Sequence, residues 1–443
     1  MGRLFGTDGV RGVFGRDLTT ELAHGLGRAA VIVLRRHEPQ RITMVVGRDT
    51  RASGEPLEQA LVEGMRAAGA DAILVGVQPT PAVAFLTTDL EATAGAVISA
   101  SHNPAKDNGI KFFGPSGYKL PDDVEDEIEA EYRDGDEGAS VEPGRAVPLP
   151  GAAERYLEHV AGAAEAPLTG MKVVVDCANG AAFRDAPEVL RRLGAEVLPI
   201  FDQPDGTNIN AGCGALHPEV VAAATKEAGA HAGIAHDGDA DRALFADADG
   251  IVIDGDQVLA ASAVALKEQG RLEGNTVVTT VMANLGFHRA MEAAGIDVVT
   301  AGVGDRYVLE EMLRTGAVLG GEQSGHVIFR QHATTGDGLL TAVLFLSLAA
   351  RRGSTVAELA SVMRRFPQIV RNVPVTHKER LDGAGDVWEA VRAAESELDG
   401  SGRVLVRASG TEPLVRVMVE AGSEDQARRH ADALAERVRS ALA

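Results

Sequence analysis

Three carboxylates spaced by single residues, Asp237, Asp239 and Asp241 in the string DGDADR, make the strongest chemical demand in this chain. Like charges so close are unfavourable unless a cation neutralises them, and an all-oxygen set suits Mg2+. On an extended backbone the alternation would aim all three to one side. Three carboxylates leave coordination positions open for water or a phosphate oxygen. An EF-hand is excluded, because its sixth and twelfth positions are Arg242 and Ala248 here. The second demanding string is AGAVISASHNPAKDNGIKFF, Ala94 to Phe113. A small and β-branched run, Ala96 to Ile98, predicts a buried strand that delivers Ser101 and His102 to an Asn103-Pro104 break. Asp107-Asn108-Gly109 predicts a turn leading to Lys111, so that a hydroxyl, an imidazole and an ammonium face one small volume.

Three further loops carry complementary groups. GEQSGH, Gly321 to His326, offers Glu322, Ser324 and His326, donors and acceptors of the kind that hold sugar hydroxyls; a solvated turn is the competing reading. In RASGTEP, Arg407, Ser409, Gly410 and Thr411 form an expected anion nest to which Arg416 on the next strand adds charge, against the plainer reading of a hairpin turn. FGTDGVRG near the N-terminus sets Arg11 among glycines, where a guanidinium could meet a phosphate in bidentate fashion. Other motifs fail on spacing: GVGDRY at Gly302 lacks the third glycine of a dinucleotide loop, and neither a nucleotide phosphate loop nor a Gly-x-Ser-x-Gly elbow occurs.

The elements that must position these loops recur. Met44 to Gly47 reads as a strand, Pro56 to Ala68 as a helix, Asp71 to Gly76 as a strand and Ala94 to Ser101 as a third strand ending in the serine loop. The same order starts again at Lys172, ending in HDGDADR, and at Thr276, ending in GGEQSGH. The joins AAGADAILVG, RLGAEVLPI and AAGIDVVTAG resemble one another. The expected fold is therefore α/β: three similar α/β domains with mixed sheets and a smaller C-terminal α+β domain, with the ligand cleft between the four. The expected boundaries are 1–151 with the serine loop, 152–253 with the carboxylate loop, 254–367 with the sugar loop and 368–443 with the phosphate loop. Ligands of α/β units collect at the carboxyl ends of strands, which is where each of these loops falls.

Composition narrows the class. A net charge of −21 over 443 residues argues against nucleic acid and anionic membrane as partners. Two cysteines, Cys177 and Cys213, supply neither a disulfide framework nor a cysteine-rich metal site. The longest apolar run, Leu339 to Ala350, is too short to span a bilayer, and the N-terminus lacks a signal-peptide core, so the cytoplasm is the expected location.

In this order FGTDGVRG, ISASHNPAKDNGIKFF, DGDADR, GEQSGH and RASGTEPLVRVMVE resemble the α-D-phosphohexomutase superfamily, from Phe5 to Glu420. The first and fourth strings, with GVGDRYV, are similar to its bacterial branch acting on glucosamine phosphates. The resemblance implies interconversion of glucosamine 6-phosphate and glucosamine 1-phosphate on the route to UDP-N-acetylglucosamine, in a cytoplasmic enzyme. It further implies that Ser101 is phosphorylated in the resting enzyme, and that Asp237, Asp239 and Asp241 with a phosphoserine oxygen on Ser101 hold one Mg2+ per subunit. Arg242 would lie against that phosphate, and His102 and Lys111 would assist charge and proton transfer. Arg11, Glu322, Ser324 and His326 would contact substrate, and Arg407, Ser409, Gly410, Thr411 and Arg416 its distal phosphate. A hexose 1,6-bisphosphate would serve as activator, and a homodimer is a possible assembly. Three alternatives stay open: a sister mutase acting on glucose or mannose phosphates, an Mg2+-dependent sugar phosphatase, and a non-catalytic phosphosugar sensor. Phosphate release without isomer formation would mark the second, and absence of phosphoserine the third.

Overall fold

Runs of alanine, glycine and β-branched residues make the strands of this protein, and most of those in the sheet interiors are buried on both faces, as a sheet covered by helices requires. The computed structural model describes residues 3–6, 8–37, 41–135, 141–409 and 413–442. Its strands, in chain order, form four sheets. The first contains β1 (Val10–Val13), β2 (Thr43–Arg48), β3 (Asp71–Val77), β4 (Ala94–Ile98), β5 (Asp107–Phe113) and β6 (Ala146–Pro148), in the order β1-β5-β4-β2-β3-β6. The second contains β7 (Lys172–Asp176), β8 (Glu196–Ile200), β9 (Ala232–His236), β10 (Ala243–Asp247) and β11 (Val252–Ile253), in the order β11-β10-β9-β7-β8. The third contains β12 (Thr276–Thr280), β13 (Asp297–Ala301), β14 (Leu319–Gly321) and β15 (Val327–Phe329), in the order β13-β12-β14-β15.

The three sheets share one plan. A central strand (β2, β7, β12) lies parallel to two neighbours, and the second of these (β4, β9, β14) is followed by a strand that returns antiparallel beside it (β5, β10, β15). The serine, carboxylate and GEQSGH loops are the three links between those parallel and antiparallel strands. The α/β repeat expected from sequence is present, with the return strand as an addition. Here the expected turn at Asp107-Asn108-Gly109 is corrected: these residues begin β5, paired on both sides with β1 and β4. Asn108 is turned inward, its amide donating to Ser53 Oγ at 2.9 Å, and Gly109 is required because a Cβ there would meet the Ser99 carbonyl at 2.5 Å. The chain reverses instead between Ser101 and Lys106.

Helix starts follow local chemistry. Asp254 accepts from Gln257 N while the Gln257 side chain accepts from Asp254 N, a reciprocal cap that opens the helix Gly255–Glu268. Asp337 caps Gly338–Arg352 through Leu340 N at 2.9 Å. That helix is the apolar run Leu339 to Ala350, buried along nearly its whole length. No helix among the described residues is long and apolar enough to cross a membrane.

Packing divides the chain into two compact units, Met1–Val281 with Asp297–Ser361, and Met282–Ile296 with Val362–Ala443. The first holds the three sheets above. The second holds the antiparallel sheet of β16 (Gln368–Pro374), β17 (Arg403–Ala408) and β18 (Leu414–Glu420), in the order β16-β18-β17. The helix Glu424–Leu442 buries Ala427, Ala431, Leu434, Val438 and Leu442, the face its 3.6-residue period predicts. The helix Leu285–Ala294, which follows β12 in the third repeat, belongs to this second unit: Asn284 at its N-terminus donates to Glu420 and to the Phe366 carbonyl, at 3.2 and 3.0 Å.

Candidate active site: a serine beside three carboxylates

The serine loop and the carboxylate loop meet backbone to backbone. A Cβ on Gly238 would lie 2.6 Å from the Ser101 carbonyl, so only glycine permits this approach. Ser101 itself sits in the left-handed region, φ 51°, and is 2% exposed. The exposed loop hydroxyl that a polar turn suggests is thus replaced by a buried one. Its Oγ donates to Asp237 Oδ2 at 2.8 Å and lies 3.2 Å from His102 Nδ1.

The three aspartates do converge, but not by alternation on an extended backbone. β9 ends at His236 and the chain then turns, with Ala240 in the left-handed region at φ 56°. One carboxylate oxygen from each of Asp237, Asp239 and Asp241 can be chosen so that all three lie within 4.8 Å. Asp239 Oδ2 accepts from Thr80 Oγ1 at 2.7 Å and Lys111 Nζ at 3.1 Å, and Asp241 Oδ2 lies 3.5 Å from His326 Nδ1. In each of the three, Oδ1 is buried without a hydrogen-bond partner among the described residues. Buried carboxylate oxygens without a hydrogen-bond partner are costly unless a cation takes them, and an all-carboxylate trio is hard-ion chemistry of the Mg2+ type. The donor set fits such an ion.

Electrostatics divide the trio. Burial, then the charges of Asp241 and Asp239, push Asp237 well above the usual carboxylate range. Burial also opposes ionisation of Asp241, but His326, Lys111 and Arg242 outweigh it and hold its pKa down. Lys111 is buried on β5, yet Asp239 and Asp8 more than offset the desolvation and raise its pKa. Asp8 Oδ2 stands 2.9 Å from Lys111 Nζ and is bound as well by Arg11 and Lys119. His102 goes the other way: burial, then Arg242 and Arg11, lower it to about 4, so the imidazole is neutral at pH 7. Arg242 Nε approaches Asp241 Oδ1 and Asp237 Oδ2 at 3.7 and 3.9 Å.

The GEQSGH loop closes one side. Glu322 Oε1 accepts from Gly304 N at 3.1 Å, which ties this loop to the GVGDRY turn, and Ser324 Oγ has no partner among the described residues. His326 is 2% exposed; its Nε2 accepts from Gly336 N at 3.1 Å, which leaves the ring proton on Nδ1, facing Asp241. A cavity of about 290 Å³ opens beside it, lined by Tyr118, Lys119, Asp305, Arg306 and His326 among others.

In the second unit, Arg407 and Arg416 are directly opposed on β17 and β18. Like charges directly opposite repel, and burial, then the charge of Arg416, lowers the Arg407 pKa. Lys378 Nζ donates to the Ser409 carbonyl at 2.7 Å, adding a third cation to this loop. Gly410 and Thr411 lie outside the described residues.

Sequence reading passed over Thr80, Lys119 and Lys378, noted Asp8 only as part of a glycine-rich loop, and noted Asp305 only as part of the GVGDRY turn. Thr80 and Lys119 stand in no motif; only their contacts to Asp239 and to the Asp8–Asp305 pair mark them.

Four domain families match in sequence order: phosphoglucomutase/phosphomannomutase α/β/α domain I over 2–139, domain II over 154–250, domain III over 254–366 and the C-terminal domain over 371–437. The chain belongs to the phosphoglucomutase/phosphomannomutase family. Within it, the phosphoglucosamine mutase of Pelotomaculum thermopropionicum is 55% identical over 426 residues, 95% of each chain, and that of Thermobifida fusca is 55% identical over 445 residues, 100% of this chain and 99% of the relative. Among solved structures, a phosphoglucomutase/phosphomannomutase family protein from Burkholderia thailandensis superposes with TM-score 0.83 at 27% identity, covering 100% of this chain and 98% of the other. An Aspergillus fumigatus N-acetylphosphoglucosamine mutase solved with GlcNAc-6P and magnesium shares the fold, with TM-score 0.71 at 19% identity over 99% and 96% of the two chains.

Proposed function

We propose that the protein is a phosphoglucosamine mutase, interconverting glucosamine 6-phosphate and glucosamine 1-phosphate through a phosphoserine at Ser101 and a 1,6-bisphosphate intermediate. The observation that carries this reading is the hydrogen bond of Ser101 Oγ to Asp237 within the carboxylate trio, with Lys111 and His102 beside it. Full-length identity near 55% to relatives of that name supports the amino-sugar substrate.

The phosphoryl group on Ser101 passes to the free hydroxyl of the bound phosphosugar: the Oγ–P bond breaks, a sugar O–P bond forms, and the hydroxyl proton leaves. His102, 3.2 Å from Oγ, is a candidate carrier for that proton. Lys111 and Arg242 supply fixed positive charge toward the transferring group. Asp237, Asp239 and Asp241, with an oxygen of phosphorylated Ser101, would hold one Mg2+, which when bound neutralises charge on that group. Glu322 and Ser324 offer acceptor and donor to sugar hydroxyls, while His326 acts from behind, through Asp241. Arg11 is a further substrate contact; Arg407, Ser409, Gly410, Thr411 and Arg416 are assigned to the distal phosphate on their motif. The bisphosphate then turns end for end and returns its other phosphoryl group to Ser101, and hexose 1,6-bisphosphate restores any enzyme that loses it. We also place the enzyme in the cytoplasm, on a route to UDP-N-acetylglucosamine.

The test is a coupled assay of glucosamine 1-phosphate formed from glucosamine 6-phosphate with Mg2+ and a trace of glucose 1,6-bisphosphate, beside glucose and mannose phosphates. Preference for the amino sugar is the expected result. Faster turnover of the other hexoses would move the chain to a sister activity, and inorganic phosphate as the sole product would replace the mutase by a phosphatase.

A further inference from the structure

Arg51 lies just past β2, its side chain fully buried, and its hydrogen bonds go to none of the side chains assigned above to substrate or metal. A guanidinium has five N–H donors in one plane, and all five are used. Nε donates to Asp49 Oδ2 at 2.8 Å; Nη1 donates to the carbonyls of Asp107, at 2.9 Å, and Pro104; Nη2 donates to those of Ser101 and Asn103, both at 2.9 Å. Four of the five bonds thus end on backbone carbonyls, three in the loop that carries Ser101 and the fourth on Asp107, the first residue of β5. The same Asp49 oxygen accepts from Ser99 Oγ at 2.6 Å, and Ser99 Oγ in turn accepts from Ser101 N at 2.9 Å. Both peptide groups of Ser101 are therefore gripped by one unit, the carbonyl by Arg51 directly and the N–H through Ser99 and Asp49. Asn210 Nδ2 adds bonds to the Ser101 and Asn103 carbonyls at 2.9 and 3.2 Å.

The grip falls on a residue that needs one. A serine at φ 51° is held in a sparsely populated conformation that persists only where surroundings over-determine it. From that conformation Oγ reaches Asp237 Oδ2 at 2.8 Å.

We infer that Arg51, with Asp49 and Ser99, is a positioning unit for the phosphoryl-carrying serine, holding Ser101 Oγ in line for transfer without contacting substrate. The inference rests on the mutase reading above. Lysine cannot substitute, since its three donors radiate from one point and cannot reach four carbonyls and a carboxylate in a plane.

The experiment follows phosphoryl uptake by dephosphorylated protein from glucose 1,6-bisphosphate with Mg2+, by intact mass against time, in wild type, Arg51→Lys and Ser99→Ala. Steady-state kcat, KM and thermal midpoints are measured alongside. Ser99→Ala leaves the Arg51–Asp49 pair intact, so it decides the matter should Arg51→Lys not fold. Uptake and kcat are expected to fall about 100-fold in Arg51→Lys, the scale of a 1 Å misplacement, and about 10-fold in Ser99→Ala, with KM within about 2-fold of wild type. Uptake within about 2-fold of wild type in the folded variants, or a rise in KM with kcat unchanged, overturns the inference. A wild-type protein that takes up no phosphoryl group fails earlier and removes the mutase reading together with it.

Discussion

At the scale of single residues, Ser101 and Asp239 separate chemistry from architecture. Ser101→Ala should abolish turnover and phosphoryl uptake while preserving the fold, because the loop is held through backbone groups that alanine retains. A variant with near-normal rate would remove Ser101 from the mechanism. Asp239 accepts from Thr80 and Lys111 through one oxygen and keeps the other unpaired. Asp239→Asn preserves volume but brings an amide into a cation site and lowers the charge facing Lys111. Mg2+-dependent activity is expected to fall by more than about 100-fold, the scale of lost electrostatic stabilisation of a reacting group. An unchanged Mg2+ titration would exclude Asp239 as a ligand.

At the scale of elements, loop contacts and helix faces set the limits. Gly238→Ala places a methyl group against the Ser101 carbonyl, so the two loops must part. Activity should fall at least about 10-fold with secondary structure unchanged, since small shifts at a reacting centre are costly; normal kinetics would show that the loops move independently. On the helix Asp122–Asp134, Glu125 is buried, and burial, only partly opposed by Arg306, raises its pKa to about 7. A carboxyl raised on folding binds its proton more tightly in the folded state, so stability falls as pH rises from the unfolded value near 4.5 toward 7. Glu125→Gln should therefore raise the melting temperature at pH 8 by a few degrees and change it little at pH 4. An equal shift at both pH values would assign the effect to packing instead of charge.

For the whole molecule, a net charge of −21 opposes anionic substrates, so binding depends on local concentrations of cations. Arg11, Lys111, Lys119 and Arg242 gather in the first unit, interleaved with the carboxylates of Asp8, Asp237, Asp239, Asp241 and Asp305, and Lys378, Arg407 and Arg416 gather in the second. Arg407 and Arg416, opposed on β17 and β18, are the expected contacts of the distal phosphate. Arg407→Ala should raise KM for glucosamine 6-phosphate about 10-fold or more, as loss of a charge-assisted hydrogen bond predicts, with a smaller change in kcat. A KM equal to wild type would assign Arg407 to stability of the sheet alone.

By itself the sequence determined which chemistry is available. The DGDADR, SASHNP, GEQSGH and RASGTEP strings name their own donors and acceptors, and the threefold strand and helix pattern sets the first three at equivalent strand ends, because hydrophobic period is a local property. Only the tertiary structure decided how those groups meet. Thr80 reaches Asp239 across 159 residues and Ser101 reaches Asp237 across 136, and no local pattern carries such pairings. The antiparallel return at β5, read as a turn from Asp107-Asn108-Gly109, exists because two neighbouring strands satisfy its backbone. Ser101 and Ala240, neither a glycine, are left-handed, and both are held through their backbone groups, Ser101 by Arg51 and Ser99, Ala240 by Asp237 and Gly338. Arg51 shows the same division most plainly: in the sequence it is one basic residue after a strand, and in the fold its plane of five donors meets five acceptors that folding alone brings together.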